Sequence, residues 1–180
     1  KNFAVEVIDQ KTNIAIISAI SHPDLGAMKR AIESNVQRKV TIAKPNEIKS
    51  LQDYNVLILY QPTTDFKTIF ENNKGTGINT FIITGNNTDF NFLNQQQDNL
   101  NFKMSGQKED YLSVFNGQFN LFAADNIGFE NLPPLQNAFG TVTTKGAVSV
   151  LLSSKIRSID TNSPLLAFAE NQGKRAAYLL

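Results

Sequence analysis

One histidine, His22, and no cysteine are present in the chain, and that inventory bounds the chemistry at once. Thiolate nucleophiles, disulfides, iron–sulfur clusters and thiolate zinc sites are excluded. His22 stands in Ser21-His22-Pro23-Asp24. There it could act as a general base beside Asp24 or Ser21, or serve as a polar loop residue capping a helix that Pro23 begins; no indicated partner favours the first role over the second. A metal would have to be held by His22 and carboxylates alone, and no H-x-x-x-H or acidic cluster supports one. A G-x-S-x-G elbow, a P-loop and a G-x-G-x-x-G are all missing, and Gly75-Thr76-Gly77 precedes a strand instead of following one. No cofactor is expected.

One further turn has a suggestive setting. Gly85-Asn86-Asn87-Thr88-Asp89 follows an apolar run and precedes a helical one, as in a nucleophile elbow, where a sharp turn lifts one side chain above a sheet. The residue at that place is Asn87. A carboxamide has no ionisable, electron-rich atom with which to attack an acyl carbon. If the turn is an elbow, it carries no nucleophile.

The elements that must position these residues alternate regularly. Asn13–Ile20 is a near-continuous apolar run of the kind buried on both faces of a parallel sheet. Pro23 suits a first helical turn, and Leu25, Met28 and Ile32 fall at helical spacing up to about Asn35. Val40–Ala43, Asn55–Tyr60 and Thr80–Thr84 read as the next strands. Between and after them, brief helices are expected from Asn46 to Leu51, from Thr64 to Gly75, and from Thr88 or Asp89 to Gln97, each opened by a capping side chain.

Beyond residue 100 the rhythm weakens. Asn116-Gly117 predicts a hairpin between 111–115 and 119–122, and Leu132-Pro133-Pro134-Leu135 breaks regular structure. Ala147–Leu152 and Lys174–Leu180 read as strands, with Pro164–Glu170 a strand or short helix. Phe3–Ile8 also alternates like a strand. The predicted fold is a three-layer α/β sandwich with a mostly parallel central sheet, extended by additional strands in the second half.

In such sheets ligands collect beyond the carboxyl ends of the strands. Three loops qualify: Ser21–Asp24, Tyr60–Thr64 and Gly85–Asp89. Their candidate ligand-binding residues are Ser21, His22, Asp24, Gln61, Thr63, Gly85, Asn86 and Asn87. Each loop leads into a helix amino terminus, where backbone N–H groups can hold an anion.

The bulk numbers narrow the partners. With 17 basic residues against 16 acidic ones and a net charge of +1, no basic block points to nucleic acid or an anionic membrane. No apolar stretch approaches the ~20 residues that span a bilayer, so this fragment is not expected to insert. The 41% apolar content and 13 phenylalanines can build a core, and runs such as Asn94–Gln97 read as polar surface. The chain starts at Lys1 and stops within a predicted strand, from which we expect an excised piece of a longer protein.

The segments NIAIISAISHPDLGAMKRAIESN, NVLILYQP and TFIITGNN resemble a known group. It is the class I glutamine-amidotransferase-like, flavodoxin-like α/β domain of Bacteroidetes-type membrane proteins that carry an aerotolerance-regulator-like N-terminal segment and immunoglobulin-like repeats. FENLPPLQNAFG, AVSVLL, SPLLAF and GKRAAYLL are also similar to that group. The resemblance implies that residues 1–10 end a preceding β-sandwich or link to it. Residues 11–180 would then form the α/β domain, truncated at its C-terminus. It implies an extracytoplasmic, periplasmic position on a cytoplasmic-membrane protein, with other domains of the same chain or envelope proteins as partners. Active members use a Cys–His–Glu triad. Here Asn87 stands in the approximate place of the cysteine, and no histidine follows His22, so amide hydrolysis by that route is excluded on residue inventory. The expected function is a non-catalytic binding or interaction module. The alternatives are a small-ligand sensor, or a hydrolase with an unrecognised site around His22.

Overall fold

The structure of the chain, a computed structural model, describes residues 11–180; the strand expected over Phe3–Ile8 lies outside them. The first half follows the predicted alternation: β1 (Thr12–Ser18), α1 (Pro23–Glu33), β2 (Arg38–Ala43), β3 (Val56–Tyr60), α2 (Lys67–Thr76), β4 (Asn79–Ile83) and α3 (Phe90–Gln96). Strands β2, β1, β3 and β4 lie side by side in that order, all parallel. Their side chains alternate between two cores. Ile14, Ile16, Ile58, Tyr60 and Ile83 face Leu25 of α1, while Ala15, Ile17, Leu57, Leu59 and Ile82 face Ile69 and Phe70 of α2 and Leu93 of α3. That two-sided burial is why these strands read as unbroken apolar runs.

The helix boundaries have local causes. Asp89 caps α3 by accepting the Phe92 N–H at 2.9 Å, and Gly77, in the left-handed region at φ 66°, closes α2. The helix expected over Asn46–Leu51 is only a 3₁₀ turn, Pro45–Glu47, fastened by the Lys44 N–H to the Glu47 carboxylate at 2.8 Å. Leu51 is instead drawn into the core, 5% exposed.

The second half corrects the predicted fold. It comprises β5 (Leu100–Phe115), β6 (Leu135–Thr144), β7 (Val148–Ile156), β8 (Ile159–Asn171) and β9 (Lys174–Leu179). The sheet has nine strands in the order β2-β1-β3-β4-β9-β8-β7-β5-β6. Only β9 joins the parallel set, beside β4; the β9–β8, β8–β7, β7–β5 and β5–β6 pairings are antiparallel and pair more residues than the parallel ones. The sheet is therefore mixed and mostly antiparallel, not the mostly parallel centre of a three-layer sandwich. Connection length explains the difference. Strands β7 and β8 are joined through Arg157-Ser158, and β8 and β9 through Gln172-Gly173, with Arg157, Gln172 and Gly173 at positive φ. A parallel return needs a crossover of about a dozen residues or more, so two-residue turns dictate antiparallel neighbours.

The predicted hairpin is also corrected. Asn116-Gly117 does turn, with the Phe119 N–H on the Asn116 carbonyl at 3.0 Å, but residues 119–122 form no strand. Phe119 and Phe122 pack their rings on Phe168, with centroids 5.8 and 5.2 Å away, and β5 pairs with β7 instead. Strand β5 is long and changes partner along its length: its first part pairs with β6, with a bulge between Met104 and Lys108, and Leu112–Phe115 pair with β7. Pro164–Glu170 lies within β8 and is strand throughout.

Candidate functional site

The order β2-β1-β3-β4 reverses direction between β1 and β3, and a crevice opens at the carboxyl ends of strands at such a switch point. The loop after β1 and the end of β3 meet there. His22 is the N-cap of α1, one of the two roles offered for it from the sequence: its Nδ1 accepts the Asp24 N–H at 3.3 Å. The same nitrogen lies 3.0 Å from the Tyr60 hydroxyl and 3.2 Å from the Asp24 carboxylate, and Tyr60 donates to that carboxylate at 3.0 Å. Tyr60 closes β3 with its side chain on the α1 face and is only 3% exposed. Burial pushes its hydroxyl up to about 12, the Gln61 amide pulls the other way, and the hydrogen bond and charge of Asp24 add to the rise. Tyr60 is thus a fixed proton donor at neutral pH.

The next residue holds the second loop. Gln61 takes a left-handed backbone conformation, φ 48°, with its N–H on the Ile83 carbonyl at 2.7 Å. Its side-chain carbonyl accepts both the Asn87 N–H at 2.9 Å and the Asn87 amide at 3.0 Å. Gly85 permits this closeness, since a Cβ there would lie 2.6 Å from the Gln61 carboxamide carbon. Thr88 completes the turn by accepting the Gly85 N–H at 2.9 Å and returning its own N–H to the Gly85 carbonyl at 3.0 Å. The side chain at the elbow position is therefore tied down against Gln61.

The third wall comes from the far half of the chain. Where β6 begins, Pro134–Gln136 passes over the crevice. Asn86 donates to the Gln136 carbonyl at 3.1 Å, Gln136 donates to Asp110 at 3.3 Å, and buried Asn137 donates to the Thr84 hydroxyl at 2.7 Å. The open crevice lined by these walls measures about 340 Å³.

Of the residues predicted from sequence, His22, Asp24, Gln61, Gly85 and Asn86 line this crevice. Asn87 does not line it; it is exposed and held by Gln61. Ser21 is exposed outside the wall, and the Thr63 hydroxyl reaches Asp65 at 3.4 Å. The sequence reading had Tyr60 at the edge of the Tyr60–Thr64 loop but not among the candidate side chains, and it did not include Thr84, Pro134–Gln136 or Leu179–Leu180, all of which line it. The position of Tyr60 at the end of an apolar strand was a usable signal; nothing local marks the 134–136 wall. Among the described residues no group of three His, Asp or Glu side chains is placed to hold a metal, and no helix is long and apolar enough to cross a membrane.

No protein-family model matches the chain, and no match is found among curated proteins. A solved structure described as the crystal structure of SMU.1228c is similar over 92% of this chain and 75% of that one, at 13% identity and a TM-score of 0.48. A likeness at that level carries neither fold nor function across.

Proposed function

We propose that the chain is a non-catalytic binding module, and that the crevice between the ends of β1 and β3 receives its ligand or partner. The observation that carries this reading is the hydrogen-bonding of the polar wall. Tyr60 keeps its proton and spends it on Asp24, His22 Nδ1 is engaged by the α1 cap, and Asn87 is fastened to Gln61. Groups bound to one another in this way shape a surface and leave no activated nucleophile beside a free base. In the envelope setting that the family resemblance implies, the partner would be another domain of the same protein or a neighbouring envelope protein.

The crevice volume favours one second reading, a small-ligand sensor using the same walls. A ligand at 100 times its dissociation constant adds about 2.7 kcal/mol to stability, so a thermal-shift panel of metabolites separates the two: a specific shift supports the sensor, and none across a wide panel supports a macromolecular partner. A hydrolase screen tests both. Turnover that disappears in His22→Ala overturns the non-catalytic reading. Loss of the full-length protein's cellular phenotype in Asn86→Trp, which fills the crevice, with wild-type turnover nil, is the expected result.

A further inference from the structure

We propose that His22 is a pH-dependent switch in the crevice wall: neutral, it caps α1; protonated, it turns Nδ1 to the Asp24 carboxylate and gives up the cap. The switch is a property of the chain by itself, and its regulatory meaning rests on the crevice being the binding site.

One nitrogen meets incompatible demands. His22 Nδ1 lies 3.3 Å from the Asp24 backbone nitrogen, 3.2 Å from Asp24 Oδ2 and 3.0 Å from the Tyr60 hydroxyl. The backbone N–H needs a lone pair on that nitrogen, so the capping state carries its ring proton on Nε2. A carboxylate oxygen needs the reverse, an N–H at Nδ1. While the cap holds, a lone pair therefore faces an oxygen that can only accept. Once Nδ1 is protonated, two N–H groups face one another and the cap is broken. Neither protonation state satisfies both neighbours, and each has one good contact in its favour.

Tyr60 suits both states. Its one proton goes to Asp24 Oδ2 at 3.0 Å, and burial, which pushes the hydroxyl up to about 12, keeps that proton in place at neutral pH. This anchors the carboxylate beside the imidazole and leaves the hydroxyl oxygen able to accept from a protonated Nδ1. The His22 side chain is 41% exposed, so water and protons reach it. In the crevice, Asp24 of α1 and Tyr60 of β3 are the titratable groups facing it. The loop after β4 contributes Asn86, and the β6 wall Gln136, with Asp110 behind it. Protonation adds a positive charge to this wall, releases the Asp24 N–H to water and places a cation at the amino terminus of α1, where the helix dipole disfavours it. A ligand or partner would therefore meet a differently charged wall, on a looser first helical turn, in acid than at neutral pH.

The chain has one histidine, so a single imidazole reports. The test is NMR of the whole chain without ligand from about pH 8 to about pH 5, the span over which an imidazole takes up its proton. Long-range proton–nitrogen spectra follow both ring nitrogens, and backbone spectra follow the Asp24 amide. At pH 8 the ring proton is expected on Nε2, with Nδ1 bare. On acidification the Asp24 amide is expected to shift with the same midpoint as the ring. Its hydrogen exchange, relative to an unstructured amide at the same pH, is expected to quicken about fivefold, as loss of one cap brings. His22→Asn keeps a capping side chain that does not titrate and is expected to hold the Asp24 amide still over this range; an otherwise unchanged amide spectrum confirms its fold. Three results overturn the switch: a proton on Nδ1 at pH 8, a ring that titrates while the Asp24 amide stays still, or a response that survives in His22→Asn. None of them involves a ligand, so the switch can fail with the binding site intact. Conversely, a full cellular phenotype in Asn86→Trp removes the binding site without touching the switch.

Discussion

Replacing Tyr178 by phenylalanine should destabilise the protein at neutral pH and stabilise it, relative to the parent, in alkali. Tyr178 lies on β9, 1% exposed, and its hydroxyl accepts the Asn99 amide at 2.8 Å. Burial pushes that hydroxyl from 10.0 up to about 12, the Asn99 hydrogen bond works against the shift, and Asp98 adds to it. At pH 8 the folded and unfolded states bind the same proton, and Tyr178→Phe loses only the hydrogen bond, about 1 kcal/mol. Above pH 10 the unfolded chain ionises this tyrosine while the folded chain does not. The unfolded state then holds fewer protons, and stability falls as pH rises. With those two values the loss is about 1.4 kcal/mol at pH 11, and it approaches about 2.7 kcal/mol beyond pH 12. Phenylalanine has nothing to ionise, so the variant escapes this loss. Tyr60 and Tyr111, also raised by burial, are common to both proteins and drop out of the difference. Urea unfolding followed by circular dichroism at several pH values from 8 to 11 reads the gap directly. It should shrink from about 1 kcal/mol against the variant and change sign near pH 11. A gap that stays constant across that range would refute the reasoning.

Five other substitutions, two of them controls, probe separate parts of the fold. Leu93→Ala removes a fully buried side chain of α3 and should cost about 2–5 kcal/mol in urea unfolding, whereas Val36→Ala, at a residue 82% exposed, should change stability by less than about 0.5 kcal/mol. Gly140→Ala places a methyl against the Lys103 carbonyl and 2.7 Å from the Met104 Cα across the β5–β6 pair; this backbone has no rotamer with which to retreat, and a loss of about 1–3 kcal/mol is expected. Gly106→Ala, with open space around its Cβ, is the control, and equal stability of the two variants would contradict the packing described. Asn137→Ala cuts the buried link to Thr84 and should cost about 1–3 kcal/mol, with amide shifts at Thr84 and Asn86 that a distant destabilising change such as Leu93→Ala does not reproduce.

The parallel half was legible because its signals are local. Asn13–Ile20, Asn55–Tyr60 and Thr80–Thr84 are apolar on both faces, and Pro23, Asp89 and Gly77 start or stop helices by their own chemistry. The antiparallel half was not, because strand direction is set by connections and partners. AVSVLL reads equally well in either orientation until Arg157-Ser158 and Gln172-Gly173 are taken as two-residue turns. The first part of β5 carries Leu100 and Phe102 into the core at strand spacing, but the polar residues 105–110 that follow hid the pattern. In β6 only Asn137 and Val142 are buried, too few to stand out beside Leu132-Pro133-Pro134-Leu135. The site divides in the same way. Loops that end strands could be listed from the sequence, while Tyr60 entered only as the edge of the Tyr60–Thr64 loop and not as a side chain of the site, and the 134–136 wall depends on pairing across fifty residues.

The placement of β9 has a consequence for the order in which the molecule can be made. It lies between β4 and β8, and the Thr84 N–H bonds the Leu179 carbonyl at 2.9 Å, a contact 95 residues apart in sequence. During synthesis, β1 to α3 can emerge and collapse early, yet β4 keeps an open edge until β9 has left the ribosome. Closing that gap is a late, long-range event that slows folding. Until it happens, β4 offers unpaired N–H and C=O groups to any strand nearby. A chaperone would find its substrate at that edge, and so would a second nascent copy.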